Sequence, residues 1–134
     1  SQKGLNVVYG DMCNLPLKDN SADFIICIAA FHHLSNIERR NKAIKEFYRV
    51  LKPGGKLLIS VWSKNQPKKT RRVFDSYGDT MVKWDQNGEI LNRYYYIFKI
   101  DEFKHLFSNK LFTTASHKWD CGNEIFTLVK NSIL

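Results

Sequence analysis

The sequence predicts an α/β fold built on a mostly parallel sheet. Residues 24–31, FIICIAAF, form a continuous apolar run, which is typical of a parallel strand that is covered on both faces. An amphipathic stretch follows, and a second apolar run, KLLISVW, occupies residues 56–62 after Pro53-Gly54-Gly55. The stretch between the two runs is long enough for a right-handed crossover, so the unit is predicted as strand, helix, turn and strand.

The helix of this unit is predicted from its cap, its apolar stripe and its end. Ser35 is a good N-cap, and Glu38 three residues later completes a capping box. Pro53 cannot continue a helix, and the two glycines after it permit a tight reversal. Six apolar side chains recur between these limits at roughly helical spacing: Ile37, Ala43, Ile44, Phe47, Tyr48 and Leu51.

Two adjacent histidines lie where a functional site is expected. Parallel sheets bind ligands beyond the carboxyl ends of their strands, and His32 and His33 follow the first apolar run directly. Neighbouring residues of an extended segment point in opposite directions. One ring is therefore expected to face the site while the other packs or caps. Adjacent histidines do not match the usual spacing of metal ligands, so no metal site is predicted.

Residues 64–92 are predicted as a basic loop followed by an insertion or lid. KNQPKKTRR, residues 64–72, holds five cations in nine residues and no acid. Because it follows the second apolar run, this loop belongs to the ligand-binding edge of the sheet. Two interpretations stay open, a solvated loop and a loop that contacts phosphates. Residues 73–92 lack a clear period, and Asn87-Gly88 marks a turn among them.

The rest of the chain predicts a short strand or extended segment, a helix and a hairpin. RYYYIF is the extended segment, and Asp101 can cap a short helix after it. Phe103, Leu106 and Phe107 of this helix are expected to face the core. LFTTASHKW and EIFTLVK flank the turn DCGN and predict a C-terminal antiparallel hairpin.

Composition indicates one domain, residues 1–134, with an anionic partner. The net charge is +8, which favours a negatively charged partner without naming it. Hydrophobic residues make up 43% of the chain, and no apolar run approaches the ~20 residues that span a bilayer, so no membrane partner is expected. Three widely spaced cysteines are typical of thiols in a reducing compartment. We expect a cytoplasmic location, with the nucleus as a further one.

Two motifs resemble class I S-adenosylmethionine (SAM) dependent methyltransferases. RVLKPGGKLLI is similar to the passage into the fifth strand of that fold, and GDMCNLPLKDNSADFIICIAAFHHL to its third strand's end through its fourth strand. IAAFHHLSNIERR and the later stretch from Trp84 to RYYYIFKIDEF resemble more narrowly the eukaryotic tRNA methyltransferases that esterify 5-carboxymethyluridine at the wobble position. The resemblance implies a partial Rossmann-like class I methyltransferase fold, SAM as cofactor and tRNA as substrate.

The same resemblance implies that the chain is the C-terminal part of a longer protein. Such enzymes carry a glycine-rich loop after their first strand, whereas this chain has seven glycines without a GxGxG pattern. Residues 5–9, LNVVY, are interpreted as the third strand, so the first two strands are expected to be absent. Strand edges would then lack partners. We expect irregular pairing of residues 5–9 or self-association, little SAM binding and no activity of this piece alone.

The resemblance also assigns cofactor-binding residues. It implies that the Asp11 carboxylate accepts from the adenine amino group, that the Met12 backbone meets a ring nitrogen, and that Cys13 lies beside the ring. Ile28 and Ala29, with Ala30, would let the backbone approach the methionine part of SAM. The alternatives are an Asx-turn at Asp11 and simple core packing at the end of the strand.

Methyl transfer to a carboxylate needs orientation and no general base, because the carboxylate is already ionised at neutral pH. Arg39, in the first helical turn, can orient it with a planar donor fork, and His33 can add a weaker donor. These two are the predicted catalytic residues, while Arg40 is expected at the helix surface. The predicted substrate-binding residues are His32, Tyr94 and Tyr95, whose tyrosine faces can stack a splayed base, and five cations that can hold phosphates: Arg93, Lys68, Lys69, Arg71 and Arg72. The alternative for the two tyrosines is packing in the core.

Two other functions stay open at this point. One is a SAM methyltransferase of a small molecule such as a quinone or lipid precursor. The other is a non-catalytic RNA-binding or interaction domain. The basic loop and the Arg93-Tyr94-Tyr95 sequence favour RNA. The resemblance further implies, as a partner, a small zinc-binding activator subunit near the third strand.

Overall fold

A computed structural model describes residues 7–108 and 110–132 of the chain. Within these residues, six strands and two α-helices follow one another, with 3₁₀ turns at Phe31–His33 and Lys68–Thr70. The elements are β1 (Ala22–Ile28), α1 (Ile37–Val50), β2 (Leu51–Trp62), β3 (Gly78–Gln86), β4 (Glu89–Ile97), α2 (Ile100–Ser108), β5 (Phe112–Asp120) and β6 (Asn123–Lys130).

The main sheet has four strands in the order β1-β2-β6-β5. β1 and β2 pair in parallel, with Ile26 opposite Leu58, while β6 pairs antiparallel with both β2 and β5. The predicted strand–helix–strand unit and the C-terminal hairpin are both present. Only one of the three pairings described is parallel, so the sheet is mixed.

The Pro53-Gly54-Gly55 turn lies inside β2 and not before it. Ala22 pairs with Leu51 and Phe24 pairs with Lys56, so β2 carries extra residues between two pairings. Gly54 has a φ of 79°, a conformation that glycine adopts without a steric penalty. A β-bulge of this kind keeps the two parallel strands in register after the irregular segment.

Helix ends differ from their predicted positions by one or two residues. The N-cap of α1 is Asn36, not Ser35, because the Asn36 side chain accepts from the Arg39 backbone N–H at 2.8 Å. The second helix begins at Ile100, so Asp101 lies in its first turn and does not cap it. Ser35 and Asn36 are both good N-caps, and sequence alone does not decide between them.

The strand prediction for residues 5–9 is wrong where the structure describes them. Val7–Tyr9 lie outside any strand, while residues 5 and 6 of the predicted third strand lie outside the described residues. The segment predicted as an insertion or lid, residues 73–92, contains β3 and the first four residues of β4. β3 and β4 pair as a separate two-stranded antiparallel sheet, and the role of the segment as a lid stays a prediction. Its turn is Asn87-Gly88, as predicted, with φ values of 55° and 82°.

The core lies between α1, α2 and one face of the main sheet. Phe31 packs on Phe98, Phe103 and Phe107 with ring centroids 5.4–6.0 Å apart, and Phe103 stacks on Phe126 at 4.2 Å. These aromatic side chains are almost fully buried. Phe31 begins the turn after β1, so the core fixes the segment that carries both histidines.

The outer edge of β1 carries apolar side chains that the described residues do not cover. Phe24, Ile26 and Ile28 are 49%, 63% and 54% exposed. Val7 and Tyr9 are also exposed. Within the described residues, neither helix is long and apolar enough to cross a membrane.

Candidate functional site

The site is built where β1 ends. Ala29 adopts a φ of 52°, and its N–H donates to the Ser60 carbonyl of β2 at 3.1 Å. The chain then enters the 3₁₀ turn Phe31–His33. The two histidines are therefore on a tight turn and not on the extended segment that the sequence suggests. Their rings still differ in environment, as predicted.

His32 is an interior residue with 1% of its surface exposed. Its Nδ1 accepts a hydrogen bond from the Trp62 backbone N–H at 2.9 Å, which ties the turn to the end of β2. Burial, with a contribution from neighbouring His33, lowers the pKa of His32 to about 3. This placement does not support direct substrate contact by His32, because its ring is enclosed by Trp62, Tyr95 and His33.

His33 is half-buried and faces the β3–β4 hairpin. Its Nδ1 lies 2.8 Å from the Tyr94 carbonyl oxygen, and its ring packs on Tyr95 with centroids 4.3 Å apart. His33 lines an open cavity of about 320 Å³ together with Arg93 and Tyr94. Three of the predicted site residues thus converge on one cavity.

Tyr95 belongs to an aromatic stack and not to an open binding surface. It is 2% exposed and lies parallel to Trp62, with centroids 3.9 Å apart and an interplanar angle of 5°. Trp84 stacks on the other side of the cluster, 6.5 Å from Trp62, and the Arg93 guanidinium lies 5.3 Å from the Trp84 ring. Tyr95, a predicted base-stacking residue, is therefore enclosed, whereas Trp84 and Arg93 are exposed.

Arg40 is buried, and the expectation that it lies on the helix surface is wrong. The residue is 6% exposed. Its guanidinium carbon lies 3.9 Å from the Tyr96 ring centroid, and its Nη2 donates to the Tyr94 hydroxyl at 2.9 Å. That hydroxyl donates to the Asp79 carboxylate. Burial and the Asp79 hydrogen bond raise the pKa of Tyr94 to about 12, so it stays a neutral hydroxyl.

Sequence reasoning missed this network because its members are distant in the chain. Arg40 and Tyr94 are 54 residues apart. One local signal was available: along a strand, side chains alternate between faces. Tyr94 and Tyr96 therefore share a face that differs from that of Tyr95, and an amphipathic cation such as Arg40 is a suitable partner for paired aromatic rings.

Asp11 and Arg39 lie together at the start of α1. The Asp11 Oδ1 accepts from the Cys13 backbone N–H at 2.9 Å, which is the Asx-turn considered as the alternative to cofactor binding. The Arg39 Nη2 lies 3.6 Å from Asp11 Oδ2, and the Cys13 thiol donates to the Arg39 carbonyl at 3.4 Å. The Cys13 hydrogen bond, with the Arg39 charge, lowers the pKa of Asp11. Both charged side chains remain about half exposed, so they are loosely engaged and accessible.

The loop that carries Asp11 is fixed to α1 by two charged side chains. Glu46 accepts from the Leu15 backbone N–H at 2.7 Å. Arg49 donates to the Leu15 and Leu17 carbonyls at 3.0 and 2.8 Å, and it pairs with Glu46. Helix α1 therefore positions the Asp11 loop from its C-terminal turns and Arg39 from its first turn.

The residues present fit one side of a SAM site. Asp11 offers a carboxylate oxygen at the rim, and Met12 and Cys13 lie beside it, partly exposed. Ile28 and Ala29 leave an uncovered apolar surface at the end of β1. An acceptor beside an apolar surface suits the adenine and methionine parts of the cofactor. Their individual contacts with SAM remain predictions.

The basic loop is held by side chains and is not only a solvated segment. The Gln66 Nε2 donates to the Ser63 and Gly122 carbonyls at 2.7 Å each. The Arg72 guanidinium lies 4.4 Å from the Trp62 ring, so Arg72 is partly buried on the aromatic stack. The remaining predicted phosphate contacts are exposed: Lys68, Lys69 and Arg71.

The model of a protein family described as a methyltransferase domain matches residues 1–59. The N-terminal part of the chain is therefore similar to methyltransferase domains. Among curated relatives, a protein named as a methyltransferase from Encephalitozoon cuniculi is 35% identical over 117 residues, which are 85% of this chain and 55% of that protein. A tRNA (carboxymethyluridine(34)-5-O)-methyltransferase from Arabidopsis thaliana is 50% identical over 66 residues, 49% of this chain and 16% of that enzyme.

Solved structures share the fold. A SAM-dependent methyltransferase from Methanosarcina mazei has a TM-score of 0.71 at 20% identity, covering 91% of this chain and 65% of that one. A methyltransferase solved with the Haloferax volcanii Trm112 activator has a TM-score of 0.65 at 14% identity. The match covers 98% of this chain and 64% of that one. The described residues therefore share the α/β, Rossmann-like fold of these two methyltransferases. The chain spans about half or less of the two curated relatives described.

The buried imidazole of His32 predicts a loss of stability in acid. The unfolded chain takes up a proton near the ordinary pKa of 6.5, whereas folded His32 does so only near 3. Because the unfolded state then binds more protons, the free energy of unfolding falls as the pH drops below 6.5. For this group we expect a loss of about 2 kcal/mol between pH 7.5 and 5.

Urea unfolding at the two pH values measures this effect in the wild type and in His32→Asn. The asparagine Oδ1 is bonded to Cγ, as Nδ1 of His32 is, so it keeps an acceptor for the Trp62 N–H but does not titrate. Between pH 7.5 and 5, the free energy of unfolding of the wild type should therefore fall by about 2 kcal/mol more than that of the variant. Equal losses in both proteins would show that folded His32 accepts a proton at an ordinary pH.

Proposed function

We propose that the protein carrying this chain transfers a methyl group from SAM to the carboxylate of 5-carboxymethyluridine at the wobble position of tRNA. The observation that carries the proposal is the 50% identity to an enzyme named for this reaction. The site supports it, because an accessible arginine in the first turn of α1 lies beside the residues expected to hold the cofactor. A carboxylate substrate needs such a cation more than it needs a base.

The reaction is an in-line displacement, for which alignment of the reactants supplies much of the acceleration. SAM supplies a methyl group on a positively charged sulfur. The acceptor carboxylate is ionised at neutral pH, so no side chain has to remove a proton. The task left to the protein is to desolvate the carboxylate and to orient it.

Arg39 is suited to this orientation. Its guanidinium is planar and charged, and its contact with Asp11 is a loose 3.6 Å between exposed groups. A substrate carboxylate can share that guanidinium without breaking a buried ion pair. The N-terminus of α1 adds a favourable field for an anion. A loose hold leaves the carboxylate nucleophilic, which a tight bidentate pair would reduce.

The RNA part of the proposal rests on charge and on accessible aromatic surface. Lys68, Lys69 and Arg71 are exposed after the end of β2, where they can meet phosphates. Trp84 and Arg93 lie exposed on the hairpin, and an aromatic face with a cation beside it can stack a splayed base. His33 and Tyr94 line the cavity next to them.

A small activator subunit is part of the proposal. The fold neighbour from Haloferax volcanii was solved in complex with the activator Trm112. In this chain, Val7, Val8 and Tyr9 are 71%, 67% and 100% exposed, which leaves an apolar stretch for a partner near the Asp11 loop. The proposed location is cytoplasmic, where tRNA is available.

Mass spectrometry of wobble nucleosides tests the function directly. Cells that lack the gene should accumulate 5-carboxymethyluridine in tRNA and lose its methyl ester. The gene should restore the ester. Unchanged wobble nucleosides in the deleted strain would contradict the proposal, and a methylated quinone or lipid precursor lost instead would identify a small-molecule enzyme.

Replacement of Arg39 should slow methyl transfer while leaving SAM affinity nearly intact. In the protein produced from its own gene, Arg39→Ala removes a charge-assisted hydrogen bond worth about 1.5–3 kcal/mol, so the single-turnover rate should fall roughly 10- to 150-fold. Arg39→Lys keeps the charge without the planar donor fork, so its single-turnover rate should lie between those of the wild type and Arg39→Ala. His33→Ala should also slow the reaction.

Lys45→Ala is the matched control, because Lys45 is an exposed cation on the same helix. It should retain the wild-type rate. A wild-type single-turnover rate for Arg39→Ala would remove Arg39 from the reaction, and a large loss of SAM affinity would place it at the cofactor instead.

The exposed cations of the basic loop should set the salt dependence of tRNA binding. Each phosphate contact to a single strand contributes roughly 0.7 to the slope of log affinity against log salt. Replacing Lys68, Lys69 and Arg71 together by glutamine should flatten the slope by about 1 to 2. The loss should be similar for many tRNAs, because phosphate contacts do not read bases.

Three exposed lysines elsewhere provide the control: Lys45, Lys110 and Lys118. Their replacement by glutamine removes the same charge. It should change the slope of log affinity against log salt less than the triple replacement in the basic loop does. An equal change in both triple variants would mean that only net charge matters. An unchanged slope in the loop variant would leave the loop as surface charge and place the RNA at Arg93 and Tyr94.

A further inference from the structure

The two adjacent histidines are held in opposite tautomers. A backbone carbonyl only accepts hydrogen bonds, so the 2.8 Å contact between His33 Nδ1 and the Tyr94 oxygen puts the proton of neutral His33 on Nδ1. A backbone N–H only donates, so the 2.9 Å contact from Trp62 to His32 Nδ1 puts the proton of neutral His32 on Nε2. The tautomer of each ring is set by a backbone group of a different strand, β4 for His33 and β2 for His32.

The strand segment that carries the Tyr94 carbonyl is fixed from the face that Tyr94 and Tyr96 share. Arg40 donates to the Tyr94 hydroxyl at 2.9 Å and lies 3.9 Å from the Tyr96 ring centroid. Asp79 accepts from the same hydroxyl. One buried guanidinium therefore holds the residue before Tyr95 and the residue after it.

We propose that Arg40 is a positioning residue for His33. By holding Tyr94 and Tyr96 it places the Tyr94 carbonyl against His33 Nδ1, and this fixes His33 in the Nδ1–H tautomer with Nε2 left as a lone-pair acceptor. The proposal rests on the proposed function only in treating His33 as a site residue. The tautomer itself follows from the contacts of the chain.

This tautomer changes what His33 can bind. Neutral His33 lines the cavity that it shares with Arg93 and Tyr94, and its free nitrogen accepts a hydrogen bond there. The matching ligand group is an N–H or a hydroxyl, such as the imide of a uracil base or a ribose hydroxyl. A carboxylate, which only accepts, is left to Arg39. The two predicted catalytic residues thus serve different groups of one substrate.

Long-range ¹H–¹⁵N correlation spectra of the histidine rings test the proposal in the uniformly ¹⁵N-labelled chain. At pH 8 an ordinary imidazole is neutral, so the pattern of cross-peaks shows which nitrogen carries the proton. The wild type should show His33 as Nδ1–H and His32 as Nε2–H. In Arg40→Met, His33 should change to predominantly Nε2–H, the form that free imidazole side chains favour in water, while His32 keeps its pattern.

Two other variants separate positioning from a general loss of structure. Arg39→Met removes the adjacent arginine, which pairs with Asp11, and should leave both tautomers as in the wild type. Tyr94→Phe keeps the carbonyl but removes the hydroxyl that Arg40 and Asp79 hold, and it should shift His33 in the same direction as Arg40→Met. Because a free imidazole also favours Nε2–H, the dispersion of the backbone amide resonances, and not His32, reports that each variant is still folded.

A His33 that stays in the Nδ1–H form in folded Arg40→Met overturns the proposal. If Arg40→Met does not fold, Tyr94→Phe decides in its place, and an unchanged His33 there overturns it equally. The spectra need neither tRNA nor a methyl donor. Failure of the tautomer prediction is therefore distinguishable from failure of the methyl-transfer proposal, which the wobble nucleosides report.

Discussion

The buried guanidinium of Arg40 is the interaction on which the arrangement of the site depends. A charge that leaves water is costly unless other groups compensate it. Arg40 is compensated by the Tyr96 ring, by the Tyr94 hydroxyl and, through that hydroxyl, by the Asp79 carboxylate. All three belong to the β3–β4 hairpin. Because the charge is stable only with the hairpin in place, the first turns of α1 and the hairpin form one unit.

β4 transmits this constraint to the ligand-binding edge of the sheet. Successive side chains of a strand point to opposite faces, so Tyr94 and Tyr96 contact Arg40 while Tyr95 packs against Trp62 and the two histidines. A single three-residue segment therefore sets the spacing between α1 and the turn after β1. The same helix positions Arg39 and anchors the Asp11 loop through Glu46 and Arg49. Arg39, the Asp11 loop and the hairpin segment beside the histidines are therefore all held by α1.

Much of the fold is predictable from sequence because its signals are local. The apolar runs of β1 and β2, the stripe of α1 and the turn around Gly122 each depend on residues within a few positions of one another. The β3–β4 hairpin is harder to predict, since most of its side chains are exposed and apolar and polar residues do not alternate regularly along the β3 sequence. Buried Arg40 and the Trp62–Tyr95 stack are not predictable in this way. Their partners come from distant segments, and periodicity carries no information about such contacts.

The adjacent histidines show why residue type alone does not assign a role. Both follow the same strand and both use Nδ1 for a backbone hydrogen bond. His32 meets a backbone donor at the end of β2 and is enclosed by aromatic rings, so its ring is a structural part of the turn. His33 meets a backbone acceptor from β4 and lines an open cavity. The two rings thus differ in their exposure and in the direction of one hydrogen bond. That direction is set by which strand lies beside the ring, a property of the fold and not of the His-His sequence.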